Sequence, residues 1–218
     1  MHTETAALVL RETAYKDYDK MLSILTPAHG KLSVLVRGAR RSGSPHMAST
    51  QLLAHSNFVL FSMKERYQLD DSESINLFFS LRRDIKAFSL GAYFAELLDA
   101  VCAEEVPHEE IFELALWGCE ALGKRPLPLV KAAFELRLMA LSGFEPDLDE
   151  HKRFFKVTAG ALDAMRHILS SELGRACSFT LDSRDTNVLS SACEGYVLSQ
   201  VERSFSSLEY YRSIGGAV

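Results

Sequence analysis

Hydrophobic residues in the first third of the chain follow the two-residue period of β-strands. In residues 31–37 three aliphatic side chains alternate with Lys31, Ser33 and Arg37, which makes one face apolar and the other polar. Further short runs of apolar, β-branched or aromatic residues occupy residues 6–11, 20–26, 57–63, 66–69 and 75–79. This pattern predicts four or five short strands, enough for a small closed barrel.

From residue 81 onwards the apolar residues change to the three-to-four spacing of amphipathic helices. Prolines or threonines near the starts and glycines near the ends help to set the bounds. The predicted helices cover residues 81–101, 107–123, 128–141, 158–173 and 186–211, the last with a break near Ser204. The sequence therefore predicts an α+β chain of two domains, a barrel over residues 1–80 and an all-helical domain over residues 81–218.

Composition is that of a folded chain outside the membrane. Of the 218 residues, 47% are hydrophobic, which is enough to bury a sizeable core. No apolar run reaches the roughly 18 residues that a membrane-spanning helix needs. The N-terminus lacks the basic segment of a secretory signal, so we expect a cytoplasmic protein.

The net charge of −5 conceals a basic N-terminal region. Residues 1–66 contain nine basic and five acidic side chains, a local charge of +4, so the rest of the chain carries −9. Because charges beyond a Debye length are largely screened, a polyanion responds to the local charge rather than to the total. The charge pattern thus favours a nucleic-acid-binding surface in the barrel.

Sequence motifs of enzymatic chemistry are absent. The chain contains no GxxxxGK[ST], GxGxxG, GxSxG or HExxH motif. No C-x-x-C pair occurs, and the cysteines are expected to be structural: Cys102, Cys119, Cys177 and Cys193. Asp147 and Asp149 could bind a metal, but a solvated loop is the commoner role of such residues. We therefore expect a non-enzymatic protein without a cofactor.

The most informative segment is residues 26–44, TPAHGKLSVLVRGARRSGS. It places Lys31 and Arg37 on one strand face, and Arg40 and Arg41 in a Gly/Ser-containing loop, which suits contacts to phosphates. The same charges would also protect an exposed edge strand from pairing with another chain. From the residues alone, both interpretations stay open.

This segment resembles the N-terminal region of the RecO family of bacterial recombination mediators, which carries a pattern like T-P-x-x-G-K-L-x-x-x-x-x-G-A-R-R-x-x-S. Here the pattern falls on Thr26, Pro27, Gly30, Lys31, Leu32, Gly38, Ala39, Arg40, Arg41 and Ser44. Similarity continues, in the family's order, in residues 8–11, 93–98, 134–138, 143–144, 146–148 and 202–210. It therefore covers nearly the whole chain.

The resemblance implies an N-terminal OB-fold barrel and an all-helical C-terminal domain. It also implies that the protein binds single- and double-stranded DNA and anneals complementary strands. The implied partners are RecR, single-stranded-DNA-binding protein and, indirectly, RecA, which would place the protein at the nucleoid.

One departure from the family concerns zinc. Many members carry two C-x-x-C pairs after the Pro-Asp-Leu motif, whereas residues 149–154 and 160–166 contain no cysteine here. His151 and Asp163 alone cannot complete a tetrahedral zinc site. We expect a degenerate zinc-finger region over about residues 145–166, and no bound metal.

The candidate DNA-binding residues are cations of the barrel: Lys31, Arg37, Arg40, Arg41, Lys64 and Arg66, with Arg11 and Lys16 as extensions. A second candidate is a groove for the acidic, apolar-ended tail of single-stranded-DNA-binding protein, formed at helical spacing by Lys131, Phe134, Arg137 and Leu138. Phe134 and Leu138 also fit ordinary core positions, the commoner role of such a stripe. Alternatives for the whole chain are an OB-fold RNA-binding protein and a metal-dependent nuclease.

Overall fold

The N-terminal residues form a closed five-stranded barrel. In this computed structural model, residues 2–63, 66–144, 146–148 and 157–215 are described. The strands are β1 (His2–Tyr15), β2 (Asp19–Thr26), β3 (Gly30–Val36), β4 (His55–Met63) and β5 (Arg66–Asn76). They close in the order β1-β2-β3-β5-β4, with β3 and β5 parallel and the other pairs antiparallel. The predicted small barrel is confirmed, and it is OB-like.

Side chains that alternate inward fill the barrel. Leu32, Val34 and Val36, the apolar face predicted for β3, are each at most 3% exposed and share a cluster with Phe58 and Leu60 of β4. Burial of aliphatic and aromatic side chains of this size supplies most of the free energy that favours folding. The alternation in the sequence therefore identified the inner face of β3 correctly.

Two strands are longer than their apolar runs. Strand β1 extends to Tyr15 although its residues from Arg11 to Ala14 are exposed, because the β1–β2 ladder continues to the pair Tyr15–Asp19. Strand β5 runs without a break from Arg66 to Asn76 and joins the apolar run at residues 66–69 to the one that starts at residue 75, through polar residues between them. In both strands, backbone pairing with a neighbouring strand holds residues in the β conformation although the sequence has no apolar pattern there.

Helices occupy the C-terminal part of the chain. They are α1 (Phe79–Arg82), α2 (Ile85–Val101), α3 (Glu109–Leu122), α4 (Leu127–Leu141), α5 (Ala159–Ser170), α6 (Ser183–Val201) and α7 (Ser206–Ser213), with a 3₁₀ turn at Leu173–Arg175. Thr158 caps α5 as predicted, its hydroxyl accepting from Ala161 N–H at 3.3 Å. The predicted break near Ser204 separates α6 from α7.

One predicted helix is divided. The apolar pattern from residue 81 predicted a continuous helix to residue 101, but α1 ends at Arg82 and α2 begins at Ile85. Asp84 starts α2, since its carboxylate accepts the N–H groups of Lys86 at 2.8 Å and Ala87 at 3.3 Å. An aspartate at this position favours a new helix start over continuation of the preceding turn.

The chain forms two compact units. The first combines Met1–Phe79 with Phe94–Cys119, and the second combines Ser80–Tyr93 with Glu120–Val218. The division at residue 80 drawn from the sequence stays a prediction, and the structure adds that residues 94–119 belong to the unit that contains the barrel. Among the described residues, no helix is both long enough and apolar enough to cross a membrane.

The segment after α2 lies close against the start of β3. The Glu105 N–H donates to the Lys31 carbonyl at 3.0 Å. Gly30 has a φ of +66°, and a Cβ built on it would lie 2.2 Å from the Val106 carbonyl oxygen. Only glycine tolerates both the left-handed backbone and this approach.

In the second unit, α4 is the central helix. Ten consecutive or nearly consecutive residues between Leu129 and Met139 are buried, and α4 packs against both α5 and α6. A helix that is buried nearly all round lacks a polar stripe, and its polar residues then need partners inside the protein.

Candidate nucleic-acid interface

The β1–β2 turn and the loop after β3 are tied together by hydrogen bonds. The Gly38 N–H donates to the Asp19 carboxylate at 2.8 Å, and the Arg40 N–H donates to the Tyr18 carbonyl at 2.9 Å. The Arg40 guanidinium also donates to the carbonyls of Lys16 at 3.4 Å and Asp17 at 3.3 Å. Two segments that are about twenty residues apart in sequence thus form one surface.

Four exposed cations lie on these two segments: Lys16, Arg37, Arg40 and Arg41. Among the residues that the structure describes, no carboxylate lies within 4.0 Å of any of the four charged groups. We call Lys16, Tyr18, Arg37, Arg40 and Arg41 the hairpin-end surface. Its charges are available to an anion without the loss of an existing ion pair.

Aromatic rings accompany these cations. The Arg41 guanidinium carbon lies 5.2 Å from the centre of the Tyr18 ring, and the Lys16 ammonium lies 5.4 Å from the centre of the Tyr15 ring. A shallow cavity of about 220 Å³ adjoins the surface, with Arg40 and Lys20 among its lining residues. A cation beside an exposed ring, as at Arg41 and Tyr18, is a combination that many proteins use to bind single-stranded nucleic acids.

Lys31 has a different role from the predicted one. Its side chain is only 14% exposed, and its ammonium donates to the Asp99 carbonyl at 2.6 Å and lies 3.7 Å from the Asp99 carboxylate. The same carboxylate accepts from the Ser23 hydroxyl at 2.6 Å and lies 3.3 Å from the Arg11 guanidinium. We therefore correct the candidate set: Lys31 connects β3 to α2 within the first unit and is not a free phosphate contact.

The remaining barrel candidates lie at the β4–β5 turn. Arg66 is exposed at the first position of β5 and pairs in the ladder with Met63. Lys64 lies outside the described residues. In OB folds the β1–β2 and β4–β5 loops border the nucleic-acid-binding face, so Arg66 stays in the candidate set.

The sequence analysis missed the tyrosines of the β1–β2 turn. Tyr15 and Tyr18 flank Lys16 and Asp17, and an aromatic–cation–aromatic pattern in a turn was the available signal. Of this turn, only Lys16 is among the residues predicted from the sequence.

The candidate groove for a partner tail is not present at the predicted residues. Lys131, Phe134 and Leu138 are fully buried, and Arg137 donates to the Ser171 carbonyl. These contacts fit the alternative interpretation, in which Phe134 and Leu138 are ordinary core residues. The prediction of an exposed groove at Lys131, Phe134, Arg137 and Leu138 is corrected on this ground, since three of the four side chains are buried and Arg137 is bonded to Ser171.

Lys131 instead belongs to a buried charge cluster, formed with Tyr93, Glu135, Glu194 and Arg212. The Lys131 ammonium lies 3.2 Å from a Glu135 oxygen and 2.8 Å from a Glu194 oxygen. The Tyr93 hydroxyl donates to Glu135 at 2.8 Å, and Arg212 of α7 pairs with Glu194. Two cations and two carboxylates balance, which is the condition for burying charge.

Burial controls the titration of this cluster. It raises the pKa of Glu135 to about 7, although the Lys131 ammonium opposes the shift. Burial alone would lower the pKa of Lys131, but the two carboxylates outweigh it and raise that pKa. The cluster is structural, because its central groups have no access to solvent.

Metal-binding groups do not converge in the described part of the chain. Residues 2–63, 66–144, 146–148 and 157–215 contain no group of three His, Cys, Asp or Glu side chains suited to a metal ion. Residues 145 and 149–156 of the degenerate zinc-finger region, which include Asp149 and His151, lie outside these residues. Asp163 is exposed and pairs with Arg166 at 2.9 Å. The cysteines Cys119, Cys177 and Cys193 are buried, and burial raises the pKa of Cys177 to about 11.

Comparison with known proteins agrees with this architecture. The family model "Recombination protein O N terminal" matches residues 1–78, and "Recombination protein O C terminal" matches residues 82–154. A DNA repair protein RecO of Acetivibrio thermocellus is 25% identical, over 98% of this chain and 97% of its own length. That of Alkaliphilus metalliredigens is 35% identical, over 68% of this chain and 61% of its own length.

The OB-like barrel with a helical region, matched over nearly its whole length by the Acetivibrio thermocellus relative, defines a DNA repair protein of the recombination type. The chain belongs to the RecO family.

Proposed function

We propose that this protein is a non-enzymatic recombination mediator that binds single- and double-stranded DNA through its barrel and anneals complementary strands. The observation that carries the proposal is the hairpin-end surface, with four exposed cations that have no carboxylate within 4.0 Å among the described residues. Unpaired cations on tethered loops bind phosphates at no loss of an internal ion pair. Annealing requires no bond-breaking chemistry, so a surface that binds phosphates and leaves the bases free to pair is compatible with it.

The first experiment measures DNA affinity by fluorescence anisotropy. The double variant Arg40→Glu with Arg41→Glu should weaken binding to single and double strands by about tenfold or more at moderate salt, irrespective of sequence. Arg83→Glu with Arg184→Glu changes the charge equally at exposed positions of the second unit and serves as the matched control. Equal losses in both double variants would reject the barrel as the binding site.

The second experiment distinguishes annealing from the alternatives. The wild-type protein should accelerate pairing of complementary strands without added metal or nucleotide, and should leave both strands intact when magnesium is present. Metal-dependent cleavage would favour a nuclease, and a strong preference for RNA strands would favour an RNA-binding protein. Either result would contradict the proposal.

The proposed protein partners follow from the family. We propose that the protein acts with RecR on strands coated by single-stranded-DNA-binding protein, and so assists the loading of RecA. An annealing assay on coated strands, with and without RecR, tests this step: coating should not block annealing by the wild-type protein. No binding surface for these partners is assigned, because three of the four residues first considered for it, Lys131, Phe134 and Leu138, are buried.

A further inference from the structure

Tyr18 is an exposed aromatic ring at a fixed position. Its exposed fraction is 54%, which is high for a large apolar side chain. The backbone around it is held on both sides: the Tyr18 carbonyl accepts from Arg40 N–H at 2.9 Å, and the Asp19 carboxylate accepts from Gly38 N–H at 2.8 Å. The ring is therefore presented to solvent from an ordered turn, so little entropy is lost when a flat ligand contacts it.

The Arg41 guanidinium occupies the neighbourhood of this ring, 5.2 Å from the ring centre. A cation–π contact at an exposed site is a weaker interaction than stacking of a nucleobase on an aromatic side chain. A base that stacks on this ring would displace the guanidinium, whose charge would then be available to a phosphate. One displacement produces a stacked base and an ion pair together.

We propose that Tyr18 is a stacking platform for an unpaired nucleobase and that Arg41 moves from the ring to the adjacent phosphate when the base binds. This inference rests on the proposed DNA binding and adds to it a basis for preferring single strands. Bases inside a duplex are already stacked on their neighbours and present only their edges, so they cannot use the ring. Phosphates of a duplex still reach Arg37, Arg40 and Lys16.

The test combines protein variants with changes in the ligand. Tyr18→Leu removes the flat ring but keeps an apolar side chain, and Tyr18→Phe keeps the ring. Each is titrated with a short oligothymidylate, with the same strand made abasic, and with a duplex. Tyr18→Leu should lose about tenfold in affinity for the oligothymidylate, whereas Tyr18→Phe should bind like the wild type. Neither variant should change affinity for the abasic strand or the duplex.

The outcomes separate this inference from the proposed function. If the wild type binds none of the three ligands, the proposed function fails and the inference with it. If the wild type binds but Tyr18→Leu has no effect on the oligothymidylate, only the stacking platform is overturned. Equal losses on the abasic strand would also overturn it, because the ring would then act by holding the Arg41 loop. Thermal unfolding of each variant, expected to match the wild type, verifies that the turn remains folded.

Discussion

Among single residues, Lys131 is held inside the second unit by two carboxylates, those of Glu135 and Glu194. Lys131 and Glu135 are separated by four positions, the spacing of a surface ion pair, and the sequence gives no sign that both are fully buried. Their burial depends on Glu194, which lies some sixty positions further on in α6. A local pattern cannot contain this information, because the partner that makes the burial tolerable is distant in sequence.

Replacement of Lys131 should destabilise the protein mainly because its ion pairs with two buried carboxylates are lost. Lys131→Met leaves Glu135 and Glu194 buried without their shared cation, and should lower the free energy of unfolding by about 3 kcal/mol. Lys124 provides a matched control, since it pairs with Glu120 at the same spacing but both side chains are more than half exposed. Lys124→Met should cost less than about 1 kcal/mol in urea unfolding. Similar losses in the two variants would contradict the buried role.

Glu135 should make stability depend on pH in an unusual direction. Its folded-state pKa of about 7 lies above the ordinary value of 4.5, so between these values the folded state retains a proton that the unfolded state has released. The unfolded state then binds fewer protons, and stability falls as pH rises through this window. Above about pH 7 the effect is complete.

The Glu135→Gln variant isolates this contribution. The stability of the wild type relative to Glu135→Gln should decrease from about pH 4.5 to about pH 7 and stay constant above it. Urea unfolding across this range measures the difference, and the other carboxylates cancel because both proteins contain them. A difference that is constant with pH, or that increases, would show that Glu135 is ionised throughout.

At the scale of elements, periodicity predicted the strands and helices well and their ends less well. The alternation in β3 and the helical spacing of α3 and α4 gave bounds within a few residues of those observed. The end of β1 was not predictable from its own residues, since Arg11 to Ala14 are exposed and are held in the strand by pairing with β2. Backbone pairing leaves no apolar mark on the sequence.

The contact between Gly30 and the segment after α2 should make glycine necessary at this position. Gly30→Ala should destabilise the protein by about 2 kcal/mol or more, because it adds a clash with Val106 to the left-handed backbone. Gly43→Ala is the matched control, since Gly43 also has a positive φ but no atom lies within 4 Å of its added Cβ. It should cost about 1 kcal/mol, the backbone term alone. Equal losses on thermal unfolding would show that the approach to Val106 is easily relaxed.

Across the whole chain, the positive charge of the N-terminal region is concentrated on one part of the barrel. The first 66 residues carry +4, and the exposed cations Lys16, Arg37, Arg40 and Arg41 concentrate at the hairpin-end surface. The candidate DNA-binding residues Arg37, Arg40 and Arg41 follow from the sequence, through their loop and the family pattern. The exclusion of Lys31 does not, because Asp99 belongs to α2 and meets Lys31 only in the folded first unit.

Salt dependence distinguishes the cations of the hairpin-end surface from Lys31, which is paired with Asp99. With four phosphate contacts, the logarithm of single-strand affinity should fall with the logarithm of salt concentration at a slope of about −3. Arg37→Met removes one exposed cation and should make the slope shallower by about 0.7. Lys31→Met removes a cation that already contacts Asp99 at 2.6 Å, so the slope should stay unchanged while the unfolding temperature falls. If Lys31→Met instead changed the slope as much as Arg37→Met, Lys31 would have to leave Asp99 for the phosphate when DNA binds.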